Sequence, residues 1–557
     1  MRGPTVALLG ICLLTFFAGL GSPAITDSDE AFYAESAREM VESGDWLTPH
    51  FNYVYRFEKP ILYYWLAASA YLVAGVGETT ARFPSALAGL GLTLLVFVSA
   101  RRWYDVSTGL LAGVITASSF GYVIMARQAL PDLTLAFFVT LAIWAALVAY
   151  REPSPGEQEP AYNSRSRTAW VALSAVGAAG AILTKGPVGI ALPVLVVGPL
   201  LVLDHWAGRA RAGVRMTDLA LFTIIVLALA APWFLGMALV HGPAYLDRFF
   251  IAENFDRFAT PRYNDPRPLW YYAPIVIGGM LPWSPFMLLW LPSIARGLLR
   301  GLAGCTNTVR FGWWAAAPLL FYSLSVGKQP RYILPILPPL AILLAHAIRS
   351  RSVGCDRDHL LSVCTGITGG ILCLIAWLVY RAAPLFVEWA PVWTVGVSVI
   401  IGLAGVGVLL CIARPRWIPV AVLTASILVS LGVHIVLLSS PETAPVQRVA
   451  EIVKTARQND EPYGRYQALH RNLIFYTQAA FLELGMEQAV TDFLRSPERV
   501  ITVLPAETVS RLEAQGLLLR RLGEVRYLNI GGLTLATLLD PDPDRHLHRL
   551  VVVVNRD

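Results

Sequence analysis

The feature that most constrains this chain is the recurrence of long apolar runs: segments such as "LTLLVFVSA", "LAIWAALVAY" and "VGVSVIIGLAGVGVLLCIA" return from one end to about residue 438. A water-soluble core cannot absorb so many of them, because the full runs to which they belong approach the length that crosses about 30 Å of hydrocarbon as a helix. Runs of about 17–25 residues fall near 5–22, 84–100, 107–126, 132–150, 168–184, 187–203, 217–239, 269–295, 311–326, 332–348, 359–379, 387–412 and 416–438. The composition agrees, with 55% hydrophobic residues, 15% charged residues and a mean hydropathy of +0.56. The first run is followed by many others of equal character, so it reads as a retained span and not a cleaved leader.

Parity sets the topology. The run "ILYYWLAASAYLVAG" at 61–75 is short and follows Pro60. If it does not cross, the arginine-rich connections at Arg101/Arg102, 151–167, 209–215, 296–310, 349–357 and 414–416 all fall on the N-terminal side, as the positive-inside rule asks. Thirteen spans are therefore expected, with the N-terminus cytoplasmic and the loops near 23–83, 127–131, 185–186, 240–268, 327–331 and 380–386 outside. From about 440 the chain turns polar. "PETAPVQRVAEIVKTARQNDEPYG" reads as a helix, and "RVITVLP" and "HRLVVVVNRD" read as buried strands. The expected division is a membrane domain over 1–439 and a small extracytoplasmic α/β domain over 440–557, the latter a docking or lid module.

Six cysteines, Cys12, Cys305, Cys355, Cys364, Cys373 and Cys411, lie in expected spans or on the expected inner side and none in the long outer loops or the tail, which argues against a disulfide framework. No Cys/His cluster has zinc-site spacing. The formal charge of +6 comes mostly from inner-loop arginines and does not indicate nucleic acid.

Lysine usage points to chemistry. Of 44 basic residues only four are lysine, and Lys59, Lys185 and Lys328 all sit in expected outer loops, in "FEKP", "LTKGP" and "VGKQP". A compact ammonium meets a phosphate as a point charge, which suits an anion site; snorkelling at span ends is the plainer alternative. Acids share that side. Asp27, Ser28 and Asp29 are good helix caps, and a helix from about 29 to 42 would place Phe32, Tyr33, Ser36, Ala37, Met40 and Val41 on one apolar face, with Glu35, Arg38, Glu39 and Glu42 opposite. Asp29 then starts the apolar face and Asp27 is left as the cap. Asp132 follows Pro131 at the mouth of a span, where a carboxylate is expensive unless used. The outer stretch 240–268 adds Arg248, Arg257, Arg262 and Arg267 with the Pro and Asn content of a mobile loop, in which Asp247, Glu253 and Asp256 could serve as partners.

Taken in order, "DSDEAFYAESAREMVESGDWLTPHFN", "FEKPILYYWL", "ARFPSAL", "ARQALPDLTLAFF", "LTKGP" and "GKQPRYILPILPPLA" resemble the bacterial aminoarabinose-transferase family and its relatives among the carrier-dependent glycosyltransferases, which include the protein O-mannosyltransferases. The match covers about the first 350 residues. It implies a polytopic α-helical GT-C membrane enzyme that takes a sugar, such as 4-amino-4-deoxy-L-arabinose, from undecaprenyl phosphate or a similar polyprenyl phosphate. The acceptor would be a lipid A-like lipid or a protein at the outer face of the inner membrane. The resemblance makes Asp29 and Asp132 the catalytic acids and Lys59, Lys185 and Arg257 the carrier-phosphate ligands. Glu30, Arg56, Glu58, Lys328 and Tyr332 are expected elsewhere in the substrate site, with Glu58 a candidate ligand for a divalent ion and no other cofactor implied. Arg56 departs from the aminoarabinose branch, which tends to have tyrosine there. The rival class, a lipid or solute transporter, predicts charges spread through both leaflets and internal repeats, and the sequence shows neither.

Overall fold

The computed structural model describes residues 2–150, 164–206, 214–261, 266–290, 307–352, 358–388, 391–458, 461–469 and 471–556. The chain is a multi-pass helical membrane protein. Among the described residues eight helices are long and apolar enough to cross a membrane, from Glu78–Trp103 to Pro415–Leu437. The number reaches ten if each of two bent pairs counts as one crossing: Val106–Ser118 with Phe120–Ala126, bent by 58°, and Leu269–Gly279 with Ser284–Trp290, bent by 112°. The expected thirteen is thus more than length and composition establish. Gly3–Phe17, Val188–Leu203 and Asn307–Leu324 are nevertheless helices where three more spans were expected. Leu62–Ala74, the run on which the parity argument turns, is a helix of 13 residues and about 20 Å.

The first outer segment folds as the sequence suggests, with two corrections. A helix runs Asp29–Ser43, and its N-cap is Ser28, whose hydroxyl accepts the Glu30 N–H; Asp27 instead accepts the Arg471 N–H at 2.6 Å. It ends on Gly44, at φ +71, where the left-handed turn favours glycine. Its polar face is not solvated: Glu35, Arg38 and Glu39 are buried with the apolar side. The helix packs against both Leu62–Ala74 and, from the C-terminal region, Leu473–Thr477. Arg38 answers this burial by bonding Glu35 at 2.7 and 2.9 Å and Glu42 at 2.8 Å.

A short hairpin, β1 (His50–Phe51) with β2 (Val54–Tyr55), follows. The C-terminal region holds one five-stranded sheet of β3 (Tyr463–Arg465), β4 (Leu482–Glu483), β5 (Ile501–Pro505), β6 (Arg520–Leu528) and β7 (Leu547–Val554), in the order β4-β3-β5-β7-β6. The two runs read as strands pair antiparallel through Thr502 and Val553. The polar run before them is the helix Pro445–Ala456, which covers the sheet with Val446, Val449 and Val453.

The stretch 240–268 departs from its reading as a loop. A helix entering at Met216 kinks at Gly242 and Pro243 and continues as helical turns through Ala259. Arg262 lies outside the described residues, as do Cys305 and Cys355. Cys12, Cys364, Cys373 and Cys411 are free thiols.

Candidate active site

Three local devices bring the scattered cations together. Lys185 is the last residue of Ser164–Lys185, where a cation meets the partial negative charge of the helix end. Gly186 then turns at φ +77 against the Phe249 ring, which a Cβ would approach to 2.9 Å. Arg257 begins the last turn of the helical stretch, and the backbone of Gly327 lies so close that an added Cβ would meet the Arg257 carbonyl at 2.2 Å. The Val326 N–H also donates to the Phe258 carbonyl at 2.8 Å, so the "VGKQP" loop fixes the Arg257 turn. Lys59 is held from its own loop, donating to the Glu58 carbonyl at 2.9 Å.

Lys59, Lys185 and Arg257 line one cavity of about 400 Å³ with Glu253 and Tyr332, walled by Phe250, Phe255, Phe258, Phe321 and Tyr322. Glu253 sits between two of the cations, 2.9 Å from the Lys59 ammonium and 3.0 Å from the Arg257 guanidinium. Burial pushes the Lys59 ammonium down to about 8; Glu253 opposes that, and the charges of Arg257 and Lys185 reinforce it. The Lys185 ammonium lies 4.5 Å over the Tyr332 ring and is ion-paired to Asp132, which is 3% exposed.

From Lys185 the charges run on to the first acid. Arg331 is ion-paired to Asp29 and places its Nε 3.3 Å from Asp132. Asp29 also receives Arg471 at 3.2 Å. Burial alone would raise the Asp29 carboxyl, but Arg331, Arg471 and Arg56 outweigh it and hold the group below the usual carboxylate range. Arg56 and Arg471 stack on the Phe32 ring at 3.8 and 4.7 Å, so Phe32 lies among cations and not on a plain apolar face.

Asp29, Asp132 and Arg56 lie outside the cavity lining but within this chain of charges, whereas Glu30, Lys328 and Glu58 stand apart from the cavity. Glu30 is fully buried in an ion pair with Arg82 at 2.7 Å and accepts the N–H groups of Thr26 and Ala129 at 2.9 and 3.0 Å, which ties the first loop to the loop carrying Asp132. Its place is structural, because a carboxylate with all these partners has little left for substrate. Lys328 is buried and donates to the carbonyls of Ser325 and Arg267, so it braces the loop and does not line the cavity with Lys59 and Lys185. Glu58 bonds Arg248 at 2.9 Å and lies 3.7 Å from Arg56. Two guanidiniums on one carboxylate repel a divalent ion, and among the described residues no group of three His, Cys, Asp or Glu could hold a metal. The residues do not fit a metal at Glu58.

Sequence reasoning missed Arg331 and Arg471 and named Glu253 only as a neutralising partner. Arg331 stands in the quoted "GKQPRY" between the chosen Lys328 and Tyr332. Glu253 and Arg257 are four apart, a helical pairing hidden by the loop reading.

Comparison with known proteins gives the same picture. The family model for dolichyl-phosphate-mannose-protein mannosyltransferase matches residues 11–245. An undecaprenyl phosphate-alpha-4-amino-4-deoxy-L-arabinose arabinosyl transferase of Pseudomonas fluorescens is 34% identical over 62% of this chain and 59% of its own length. A counterpart in Aeromonas salmonicida is 32% identical over 67% of this chain and 65% of its own. The matched region thus spans less than two thirds of these relatives' length. The structure of ArnT from Cupriavidus metallidurans bound to undecaprenyl phosphate superimposes with a TM-score of 0.73, covering 99% of this chain and 98% of that one at 24% identity. In the order of its motifs, in sequence similarity and in fold, the chain is similar to the aminoarabinose transferases.

Proposed function

We propose that the protein is a membrane glycosyltransferase that moves a sugar from a polyprenyl phosphate carrier, undecaprenyl phosphate in the first instance, to a lipid A-like acceptor. The observation that carries this reading is the gathering of Lys59, Lys185 and Arg257 in one aromatic-walled cavity, from which ion pairs run through Asp132 and Arg331 to Asp29. Aromatic walls suit a prenyl chain and a sugar face, and three cations suit a phosphate. The names of the similar transferases support aminoarabinose as the sugar.

In this mechanism the bond between the sugar C1 and the carrier phosphate oxygen breaks while the acceptor oxygen bonds C1 from the opposite face. The electron pair of the broken bond leaves on the carrier phosphate. Lys59, Lys185 and Arg257 take up that charge, a contribution usually worth several kcal/mol. Lys185 must first exchange some of its attraction to Asp132 for the phosphate, and Lys59 and Arg257 likewise with Glu253. Asp29, kept ionised by its arginines, orients the acceptor and receives the proton if the acceptor is a hydroxyl; a phosphate acceptor brings no proton to remove. Asp132 holds Lys185 and Arg331 in register.

The reading includes a placement. The protein sits in the bacterial inner membrane with thirteen crossings, a cytoplasmic N-terminus, and the cavity and the 440–557 α/β domain on the periplasmic side. The arginine distribution along the chain supports this orientation.

The test supplies purified protein with undecaprenyl phosphate aminoarabinose and either lipid A or a hydroxyl-bearing peptide, and follows release of undecaprenyl phosphate. Transfer to lipid A that vanishes in folded Lys185→Ala and Asp29→Asn supports the proposal. Transfer to the peptide alone would replace the acceptor, and no release with any carrier would remove the transferase reading.

A further inference from the structure

A second cavity, of about 250 Å³, opens at the same end of the helices as Asp132 but shares no residue with the cation-lined one. Its wall is apolar, from Phe120, Val123, Ile124, Ile375, Val429 and Val433, and Ile124 at its rim is exposed. Arg127 and His434 line it as well.

Arg127 is only 3% exposed, and the described residues offer it no carboxylate. Its Nε donates to the Thr15 carbonyl at 2.7 Å and one terminal nitrogen to Leu14 at 3.3 Å, which fixes the side chain; the other terminal nitrogen, Nη1, is buried with no hydrogen-bond partner. The nearby Arg82 cannot be the cause of this arrangement, since Glu30 and three backbone carbonyls already satisfy it. His434 repeats part of the pattern, with Nε2 buried and unpartnered. A buried cation without a counter-charge is costly, and a buried unpaired donor adds to the cost. A mobile anion entering from outside the protein removes both penalties.

We propose that this cavity binds the phosphate headgroup of a bilayer phospholipid, with Arg127 Nη1 donating to a phosphate oxygen, His434 Nε2 meeting a headgroup hydroxyl, and the start of an acyl chain on the Phe120, Ile124 and Val433 wall. The apolar wall favours a lipid over a free ion. The single uncompensated charge favours an anionic headgroup over a zwitterionic one, whose ammonium would find only Glu30, already paired to Arg82. The site is separate from the carrier site and does not depend on the transferase reading.

The test places the full-length protein in detergent micelles doped with phosphatidylglycerol or phosphatidylcholine spin-labelled near the top of one acyl chain, and measures the immobilised fraction by electron paramagnetic resonance. Phosphatidylglycerol should be retained several-fold better than phosphatidylcholine. Arg127→Gln should remove that preference. Because Arg127 also braces Leu14 and Thr15, Val433→Trp, which fills the cavity and leaves Arg127 in place, should reduce retention in the same way. Lys185→Ala should leave the preference intact. Equal retention of the two lipids, or an unchanged preference in both cavity variants, would overturn the proposal. Displacement of phosphatidylglycerol by millimolar inorganic phosphate as readily as by short-chain phosphatidylglycerol would overturn it too, by making this a free-phosphate site.

Discussion

Arg331 joins the two acids: one terminal nitrogen is ion-paired to Asp29, and its Nε lies 3.3 Å from Asp132, which is in turn paired to Lys185. The residue therefore connects the acceptor side of the proposed site to the carrier-phosphate side. Lysine could reach one carboxylate but not span both in a fixed plane.

Arg331→Lys should accordingly lower kcat by about 10²-fold, in the range seen when one positioned charge-stabilising donor is lost, while the dissociation constant for undecaprenyl phosphate changes little. Single-turnover transfer measured beside carrier binding checks this. A loss confined to binding would mean that Arg331 is a phosphate ligand and not a bridge.

Removing Lys185 or Lys59 acts on the other quantity. Each charge-assisted hydrogen bond to the phosphate is worth about 1.5–3 kcal/mol, so Lys185→Ala and Lys59→Ala should each weaken carrier binding by about 10–100-fold. Lys328→Ala should leave affinity nearly unchanged and reduce thermal stability, because Lys328 braces the loop carbonyls of Ser325 and Arg267. Calorimetric titration with a short-chain polyprenyl phosphate separates the three.

The carrier affinity should also depend on alkaline pH. The Lys59 ammonium titrates at about 8, below the ordinary lysine value because it is buried. It is charged below that pH and neutral above it, so affinity is held on the acid side and falls as pH rises through about 8, by at most tenfold per pH unit for one proton. Lys59→Arg, which cannot lose its charge in this range, should flatten the profile; an equal fall in that variant would assign the titration elsewhere.

Glu30 makes the opposite kind of prediction from its neighbour Asp29. Glu30→Gln strands the buried Arg82 and should cost about 3–5 kcal/mol, the usual result of breaking a buried pair from one side. Thermal unfolding in detergent should show it, with carrier affinity retained at temperatures where the variant is folded.

How much of this was legible in the sequence depends on what each residue needed. Membrane helices declared themselves through apolar length, and the strands around Thr502 and Val553 through β-branched runs, because both signals are local. Lys59, Lys185 and Arg257 were found because lysine is rare here and because motif resemblance placed them; their meeting in one cavity was not visible, since it depends on Gly327 packing against Arg257. Glu30 and Asp29 are adjacent, and nothing local tells which one turns to Arg82. The burial of Glu35 and Glu39 was misjudged for a similar reason. A helix read alone has one buried face, whereas this one is covered a second time by Leu473–Thr477, more than 400 residues away in the chain.

Arg471 reaches Asp29 from that same distant segment. During synthesis Asp29 and Asp132 are made long before residue 471 leaves the ribosome. The proposed site is thus completed among the last steps of folding, and a chain interrupted within the C-terminal region would carry every expected phosphate ligand yet present Asp29 with an incomplete set of counter-charges. A nonsense mutation before residue 471, downstream of all the recognisable motifs, would thus reach Asp29 by removing one of its counter-charges.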